Sequence, residues 1–319
     1  MMVFSQQRPV AYSSHAPAGR GPESPLAKFL IGGAVTIVFE TSGGHFIEFL
    51  KIAKQTSTDS YLTIARKVTS TKGLAGTLDG FFPWGAMQAV AKGSVFSWGQ
   101  AASMQLTHSN TSLSKESKTV LSGAVGGFVQ GVAMSPLLLL KTRVMTDPVF
   151  RTSGGIVATA IASARVGGRI VANEGPATLF KGVGVFSLKR ALDWSTRYLF
   201  VVMVEEALKA RNAAAAPGAS SKLSDGQVVF SALAGGSLSA LSTIPMDVMV
   251  AAKQGAGSAG KKVSTIETFR AQGGLMGTLS FATKGLVARC FHVGLTTLMM
   301  KTITSVVYDI LYPAPTASH

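Results

Sequence analysis

Six long apolar runs constrain the fold of this chain more than any other feature of its sequence. Each run holds roughly 25 residues, which is enough for a tilted helix to cross a bilayer. Glycines lie inside the runs, as they do where membrane helices pack closely. No sustained alternation of apolar and polar residues indicates strands. We therefore predict an all-α membrane protein with six transmembrane helices.

The composition supports this prediction and indicates the kind of partner. Of the 319 residues, 47% are hydrophobic and only 14% are charged, which is too apolar for a typical soluble enzyme. The net charge of +15 predicts an anionic partner, either nucleic acid, anionic lipid headgroups or small anionic metabolites. The single cysteine, Cys290, excludes an intrachain disulfide framework.

The apolar runs are ordered as an internal repeat of about 100 residues. Each unit holds an apolar run, an amphipathic segment, a glycine anchor and a second apolar run, and the anchors Gly80, Gly182 and Gly285 lie 102 and 103 residues apart. The predicted organisation is a disordered extension over 1–26, repeats over 27–106, 118–211 and 226–312, and a tail over 313–319. A weak organelle-targeting signal is the alternative for the extension.

Two prolines mark the ends of apolar runs in the second and third repeats. Pro136 and Pro245 are predicted helix kinks, because proline lacks an N–H and clashes with the preceding turn. In the first repeat Phe46 holds the corresponding position. Gly43 and Gly44 lie just before Phe46 and are expected to supply the bend instead.

Three repeats of this kind resemble the mitochondrial carrier family. The resemblance covers about residues 27–312, and its best-kept parts are Pro136 with Lys141, Pro245 with Asp247, and the glycine-anchored second helices. It implies a pseudo-threefold bundle of six helices with short amphipathic matrix helices, embedded in the mitochondrial inner membrane. It also implies alternating access between a matrix gate and an outer gate.

Members of this family pair the acid of each repeat with the base of the next, which closes the matrix gate. At the matching positions of this chain, the family's pairing implies two ion pairs, Glu48–Lys141 and Asp247–Lys51. The third pair has Leu138 and Val250 in place of its charges. Losing one partner of a buried pair is costly, whereas replacing both with apolar groups can be nearly neutral. The joint loss therefore favours a gate that still closes.

The outer gate is less clear in the sequence. The family's even-numbered helices end in aromatic-acid-x-x-base, and only Tyr308-Asp309 resembles this motif, about one turn too late. We expect the outer end to rest on polar or apolar contacts, or transport to be impaired.

Family members bind substrate at the bundle centre, seven and eight residues after each glycine anchor and on nearby turns. The substrate-binding residues implied here are Gln88, Lys92, Lys189, Arg190, Arg289 and His292. Cations that face one another in a low-dielectric cavity require an anionic ligand or counter-acids. Asp193 lies four residues after Lys189 and is a candidate counter-acid.

Residues 42–48, 83–93 and 181–197 look like the citrate–oxoglutarate exchanger branch of the family. The likeness implies a multi-pass transporter that exchanges small anionic metabolites, such as the di- or tricarboxylates oxoglutarate and citrate. The alternative is a carrier-fold subunit of a larger inner-membrane respiratory complex that no longer transports. Expected partners are the metabolite and the lipid bilayer, with cardiolipin at helix N-termini on the matrix side.

Other functional classes find little support in the sequence. The basic residues are spread over helix ends and loops without a basic-aromatic face, so nucleic acid is not an expected partner. The five histidines show no metal-ligand spacing, and no catalytic triad is visible. We expect no enzymatic activity, no cofactor and no metal.

Overall fold

The computed structural model describes residues 23–56, 59–78, 81–108, 112–146, 155–215, 222–243 and 285–313, with a few single positions between 246 and 283. These residues form helices and no strands, which confirms the all-α prediction. Four positions used in the sequence arguments, namely Gly80, Pro245, Asp247 and Val250, lie outside the described residues. Most of both predicted tails and the amphipathic segment of the third repeat also lie outside them.

Six long helices run through the described part of the chain. The first combines α1 (Pro25–Phe39), a wider π-helical turn (Glu40–Gly44) and α2 (His45–Thr56). The second is α4 (Ala86–His108), the third is α5 (Lys115–Thr146), the fourth is α7 (Val183–Ala215) and the fifth is α8 (Asp225–Ser242). The sixth combines α9 (Leu286–Leu298), a π-helical turn (Met299–Ile303) and α10 (Thr304–Leu311).

Two shorter helices connect the long helices of the first two repeats. They are α3 (Tyr61–Lys72) and α6 (Ile156–Glu174), and each is followed by a 3₁₀ turn, Gly73–Leu78 and Pro176–Phe180. Their positions match the amphipathic segments expected at one end of the bundle, which we call the connector end. The opposite end, where the first long helix begins and the sixth finishes, is called the terminal end.

Three of the long helices are long and apolar enough to cross a membrane by length and hydropathy alone: Pro25–Lys51, Lys115–Lys141 and Leu286–Leu311. The second, fourth and fifth long helices do not meet this criterion, and the fourth carries Lys189, Arg190 and Asp193 in its first third. These side chains are buried between helices rather than turned outward. The charges therefore face the protein interior, as expected of a spanning helix that lines a polar cavity.

Each long helix packs against the next, and the sixth returns to the first, which closes the bundle. Glycines allow the close approaches. A side chain at Gly93 of α4 would collide with the carbonyl of Gly32 in α1, and one at Gly127 of α5 would collide with the carbonyl of Arg190 in α7. Small residues at such crossings let backbones meet where lipid supplies no hydrophobic driving force.

The first long helix bends where the sequence predicts it. Gly43 has φ 148° and ψ −15°, a conformation that residues with a side chain rarely adopt. Gly44 follows it and packs beneath the ring of Phe39. The glycines therefore replace the kink proline of this repeat. In the second repeat, α5 continues through Pro136 to Thr146.

Contacts between repeats hold both ends of the bundle. At the connector end, Trp84 donates from its indole nitrogen to the carbonyl of Ser163 in α6 at 3.0 Å and packs over Gly167. At the terminal end, the amide of Ser24 donates to the Tyr308 hydroxyl at 2.9 Å. The start of the first helix is therefore fastened to the end of the sixth.

The crossing at Gly93 makes the fold sensitive to a single methyl group. We expect Gly93→Ala to destabilise the protein by about 1–3 kcal/mol, because the added carbon overlaps backbone that cannot rotate away. Gly168→Ala is the matched control, since a side chain there meets nothing within 4 Å. It should be neutral or slightly stabilising. Thermal unfolding of the detergent-solubilised variants measures both, and equal melting temperatures would contradict this packing.

Candidate functional site

Charged side chains are concentrated in the middle of the bundle. The buried cations and acids there are Lys92, Lys189, Arg190, Arg197, Arg289, Glu40 and Asp193. Among the described residues of this region, the cations outnumber the acids by three. Because a low-dielectric medium solvates charge poorly, such an excess favours an anionic ligand.

One cluster joins the first, second and sixth long helices around Glu40. The Lys92 ammonium lies 2.6 Å from a Glu40 carboxylate oxygen, and Nε2 of His292 lies 3.7 Å from the same oxygen. Glu40 sits in the π-helical turn, which is the bend that brings its side chain into the bundle. Two predicted substrate-binding residues, Lys92 and His292, are thus brought together on an acid that the sequence analysis did not assign.

A second cluster lies on the fourth long helix. The Lys189 ammonium forms an ion pair with Asp193, and Arg190 Nη1 lies 3.4 Å from the same carboxylate. Arg197 lies two turns beyond Arg190, and its guanidinium is 4.3 Å from the centre of the Trp194 ring, as in a cation–π contact. Asp193 therefore contacts two cations at once, and the net charge of the helix remains positive.

Gln130 of α5 lies beside this cluster and is fully buried. Its side-chain oxygen accepts from Arg190 Nε at 2.7 Å, from Arg190 Nη2, and from Trp194 Nε1 at 3.0 Å. Its amide nitrogen donates to the backbone carbonyl of Lys92 at 2.6 Å. One side chain thus connects the second, third and fourth long helices.

The remaining predicted site residues line other parts of the interior. Arg289 Nη2 donates to the Thr243 hydroxyl at 2.9 Å, which joins the sixth and fifth long helices. Gln88 is buried near the start of α4, whereas the neighbouring Met87 is exposed. The structure therefore places all six predicted substrate-binding residues within buried or partly buried positions of one bundle.

Three side chains, Glu40 among them, also lie close enough together to be considered as metal ligands. Ligand atoms of Glu40, Glu48 and His292 lie within 4.8 Å of one another, although the sequence spacing does not show it. Lysine ammonium groups already bind both carboxylates, Lys92 on Glu40 and Lys141 on Glu48. The cationic groups at this cluster are therefore lysines, and a metal ion would have to displace them.

At the connector end, the structure brings Glu48 and Lys141 together. The Lys141 ammonium lies 2.9 Å from a Glu48 carboxylate oxygen, and the Lys141 side chain is 5% exposed. This contact joins the first and third long helices across the interior. The other expected pair, Asp247–Lys51, stays a prediction, because Asp247 lies outside the described residues. Leu138, at the position of the missing acid, packs against Met134 and Phe186.

At the terminal end we expected only polar or apolar contacts, but the structure also has an ion pair there. Lys301 of the sixth long helix lies 2.5 Å from Glu205 of the fourth, and both are largely buried. Gln100 of α4 also donates to the Tyr198 hydroxyl at 2.8 Å. Glu205 lies in the zone that corresponds to the outer-gate motif, but its partner Lys301 is 96 residues away and could not be inferred from the sequence.

An aromatic stack lies between the centre and the terminal end. The rings of Phe96 and Trp194 are stacked with centroids 3.7 Å apart, and Tyr198 packs beside them. These side chains belong to α4 and α7, which flank α5 in the bundle. They lie on the terminal side of Arg190.

A closed bundle of long helices with a charged interior is the arrangement expected of a protein that spans a membrane around a polar centre. Comparison with known proteins agrees: residues 114–212 match the family model described as "Mitochondrial carrier protein". The matched segment spans the second repeat, and the family is the one that the sequence motifs resemble.

The chain is also similar to a curated yeast protein. It is 23% identical over 186 residues to the "Citrate/oxoglutarate carrier protein" of Saccharomyces cerevisiae (strain ATCC 204508 / S288c). The matched segment covers 58% of this chain and 58% of that relative's length. The similarity is to the branch that the sequence motifs indicate.

Charge reversal tests the Glu48–Lys141 contact. Glu48→Lys should cost about 3–5 kcal/mol and abolish the folded yield or the transport, because it places two cations together in a buried site. Glu48→Lys combined with Lys141→Glu should recover much of the loss. Reversal at Asp59 and Lys67, an ion pair in which Lys67 is 66% exposed, is the control and should change little. An absence of recovery in the double variant would contradict the pairing.

Proposed function

We propose that this protein exchanges di- or tricarboxylate anions across the mitochondrial inner membrane by alternating access. The observation that carries the proposal is the grouping of buried cations, Lys189, Arg190 and Arg197, on one helix in the middle of the bundle. A carboxylate anion would complete the charge balance of this region. The curated yeast relative, whose name states a citrate and oxoglutarate carrier, is similar over part of the chain.

The chemistry of the central groups favours carboxylates over larger anions. Guanidinium groups bind carboxylates through two parallel hydrogen bonds, and ammonium groups add charge without fixing orientation. Arg190 and Arg289 supply the first kind of group, and Lys189 supplies the second. Several cationic groups gathered in one region suit a dianion or a trianion, such as oxoglutarate or citrate.

The two ends of the bundle supply the gates in this proposal. Glu48–Lys141 joins helices at the connector end, and Glu205–Lys301 joins helices at the terminal end. Opening toward either side requires one pair to separate while the other holds. We assign the connector end to the matrix side, as the family resemblance implies.

One observation favours the alternative of a carrier-fold subunit that no longer transports. Leu138 contributes to an apolar cluster at the position of a gate acid, so the connector end has fewer charged links than the motif of the family. The retained central cations weigh against this alternative, since an inactive subunit has no need for an excess of buried charge.

Reconstitution in liposomes decides between the two functions. The purified protein should exchange internal citrate for labelled external citrate or oxoglutarate, and malate, phosphate and ATP serve as competing anions of other shapes. Uptake of none of these by folded protein would contradict transport and favour the subunit function. Copurification of the protein with a respiratory complex would be the supporting result for that alternative.

Arg190→Lys tests the central site within the same assay. The variant keeps the charge and loses the two-pronged hydrogen bonding, so exchange should fall about 10- to 100-fold. Lys181→Ala is the control, because the Lys181 side chain is 54% exposed at a helix start and should leave exchange unchanged. Equal rates for Arg190→Lys and the unmodified protein would contradict the role of Arg190.

A further inference from the structure

The side chain of Gln130 occupies the edge of Arg190 that a carboxylate would use. Nε and Nη2 of Arg190 form one edge of the guanidinium, and both donate to the single oxygen of Gln130. Carboxylates bind this kind of edge with two oxygens, one for each N–H group. Here the partner is a neutral amide oxygen in a fully buried position.

More hydrogen-bond donors point at the Gln130 side-chain oxygen than it has lone pairs to accept them. An amide oxygen has two lone pairs, but Arg190 provides two N–H groups and Trp194 provides a third. A carboxylate offers two oxygens with about four acceptor sites and a full negative charge. The donors gathered here therefore match a carboxylate better than they match the amide that holds them.

We propose that Gln130 is a place-holder for a substrate carboxylate: its oxygen occupies Arg190 in the empty carrier and is displaced when the anion binds. The proposal rests on the proposed function, since it takes the anion to be a carboxylate. It assigns to Gln130 a role in specificity that the sequence analysis did not foresee, because Gln130 lies alone within an apolar run.

Displacement would also change the contacts between helices. The same amide group donates from its nitrogen to the carbonyl of Lys92, so Gln130 links the second, third and fourth long helices while it holds Arg190. When a carboxylate takes its place on Arg190, the links to Arg190 and Trp194 are released. Binding of the anion thereby loosens the centre of the bundle, as opening of either gate requires.

Substitutions of Gln130 distinguish the place-holder role from a role in which Gln130 only positions Arg190. If its task were to orient Arg190 for the substrate, any replacement would weaken substrate binding. If it is a place-holder, replacements move affinity in opposite directions. Gln130→Glu would fill the Arg190 edge with a tethered carboxylate, and Gln130→Met would leave that edge without a competitor.

The test measures two quantities on each purified variant: the melting temperature without substrate, and the dissociation constant for citrate from the citrate-dependent rise in melting temperature. Gln130→Glu should melt higher than the unmodified protein and bind citrate at least about tenfold more weakly. Gln130→Met should melt lower and bind citrate several-fold more tightly. Gln130→Asn, whose amide is one methylene shorter, should follow Gln130→Met and replaces it if that variant fails to fold.

Gln105 provides matched control substitutions. It lies on α4 at the terminal end and donates to the carbonyl of Glu23 at 3.1 Å, away from Arg190. Gln105→Glu and Gln105→Met should leave citrate affinity unchanged. Weaker citrate binding in Gln130→Glu and in Gln130→Met alike would overturn the place-holder role and indicate positioning.

The same data separate this inference from the proposed function. If neither citrate nor oxoglutarate stabilises the unmodified protein, the proposed function fails, and the melting temperature of Gln130→Glu still decides whether Arg190 accepts a carboxylate. If citrate stabilises the unmodified protein but Gln130→Glu melts no higher without substrate, the proposed function stands and the place-holder role is overturned.

Discussion

The cost of burying charge governs this structure. A lone ion in a membrane interior is strongly unfavourable, so each buried cation needs an acid or another polar partner from a neighbouring helix. Three such ion pairs, Lys92–Glu40, Lys141–Glu48 and Lys301–Glu205, join residues 52, 93 and 96 positions apart. Each pair therefore specifies which helices face one another across the interior. Glycine crossings then allow the helices to approach closely enough for the pairs to form.

The ion pairs near the two ends of the bundle differ from the charged groups in its middle. Near the ends, Lys141 and Lys301 each form an ion pair with an acid of another helix, and in the proposed function these pairs are the gates. In the middle, the second cluster leaves cations in excess, and a neutral amide from Gln130 holds the edge of Arg190. In the proposed function a mobile carboxylate binds these cations, so substrate and gates use the same physical interaction.

Much of the fold could be predicted from the sequence, because apolar length and repeat spacing are local or periodic signals. The helices, the two amphipathic connectors and the bend at Gly43 follow directly from them. The Glu48–Lys141 contact followed from the family resemblance. Glu40, Gln130 and the Glu205–Lys301 pair could not be predicted. Each depends on a partner from a distant helix, and the repeat marks neither Glu40, Gln130 nor Lys301.

Alternating access requires Glu48 and Lys141 to separate before an anion can pass, and crosslinking of this pair tests that requirement. Cysteines placed at both positions in a Cys290→Ala background can be joined by a bifunctional thiol reagent that a reductant cleaves. Replacing both charges together keeps the site free of an unpaired ion. We expect crosslinked protein in liposomes to lose citrate exchange and to regain it after reduction. Undiminished exchange by fully crosslinked protein would contradict it.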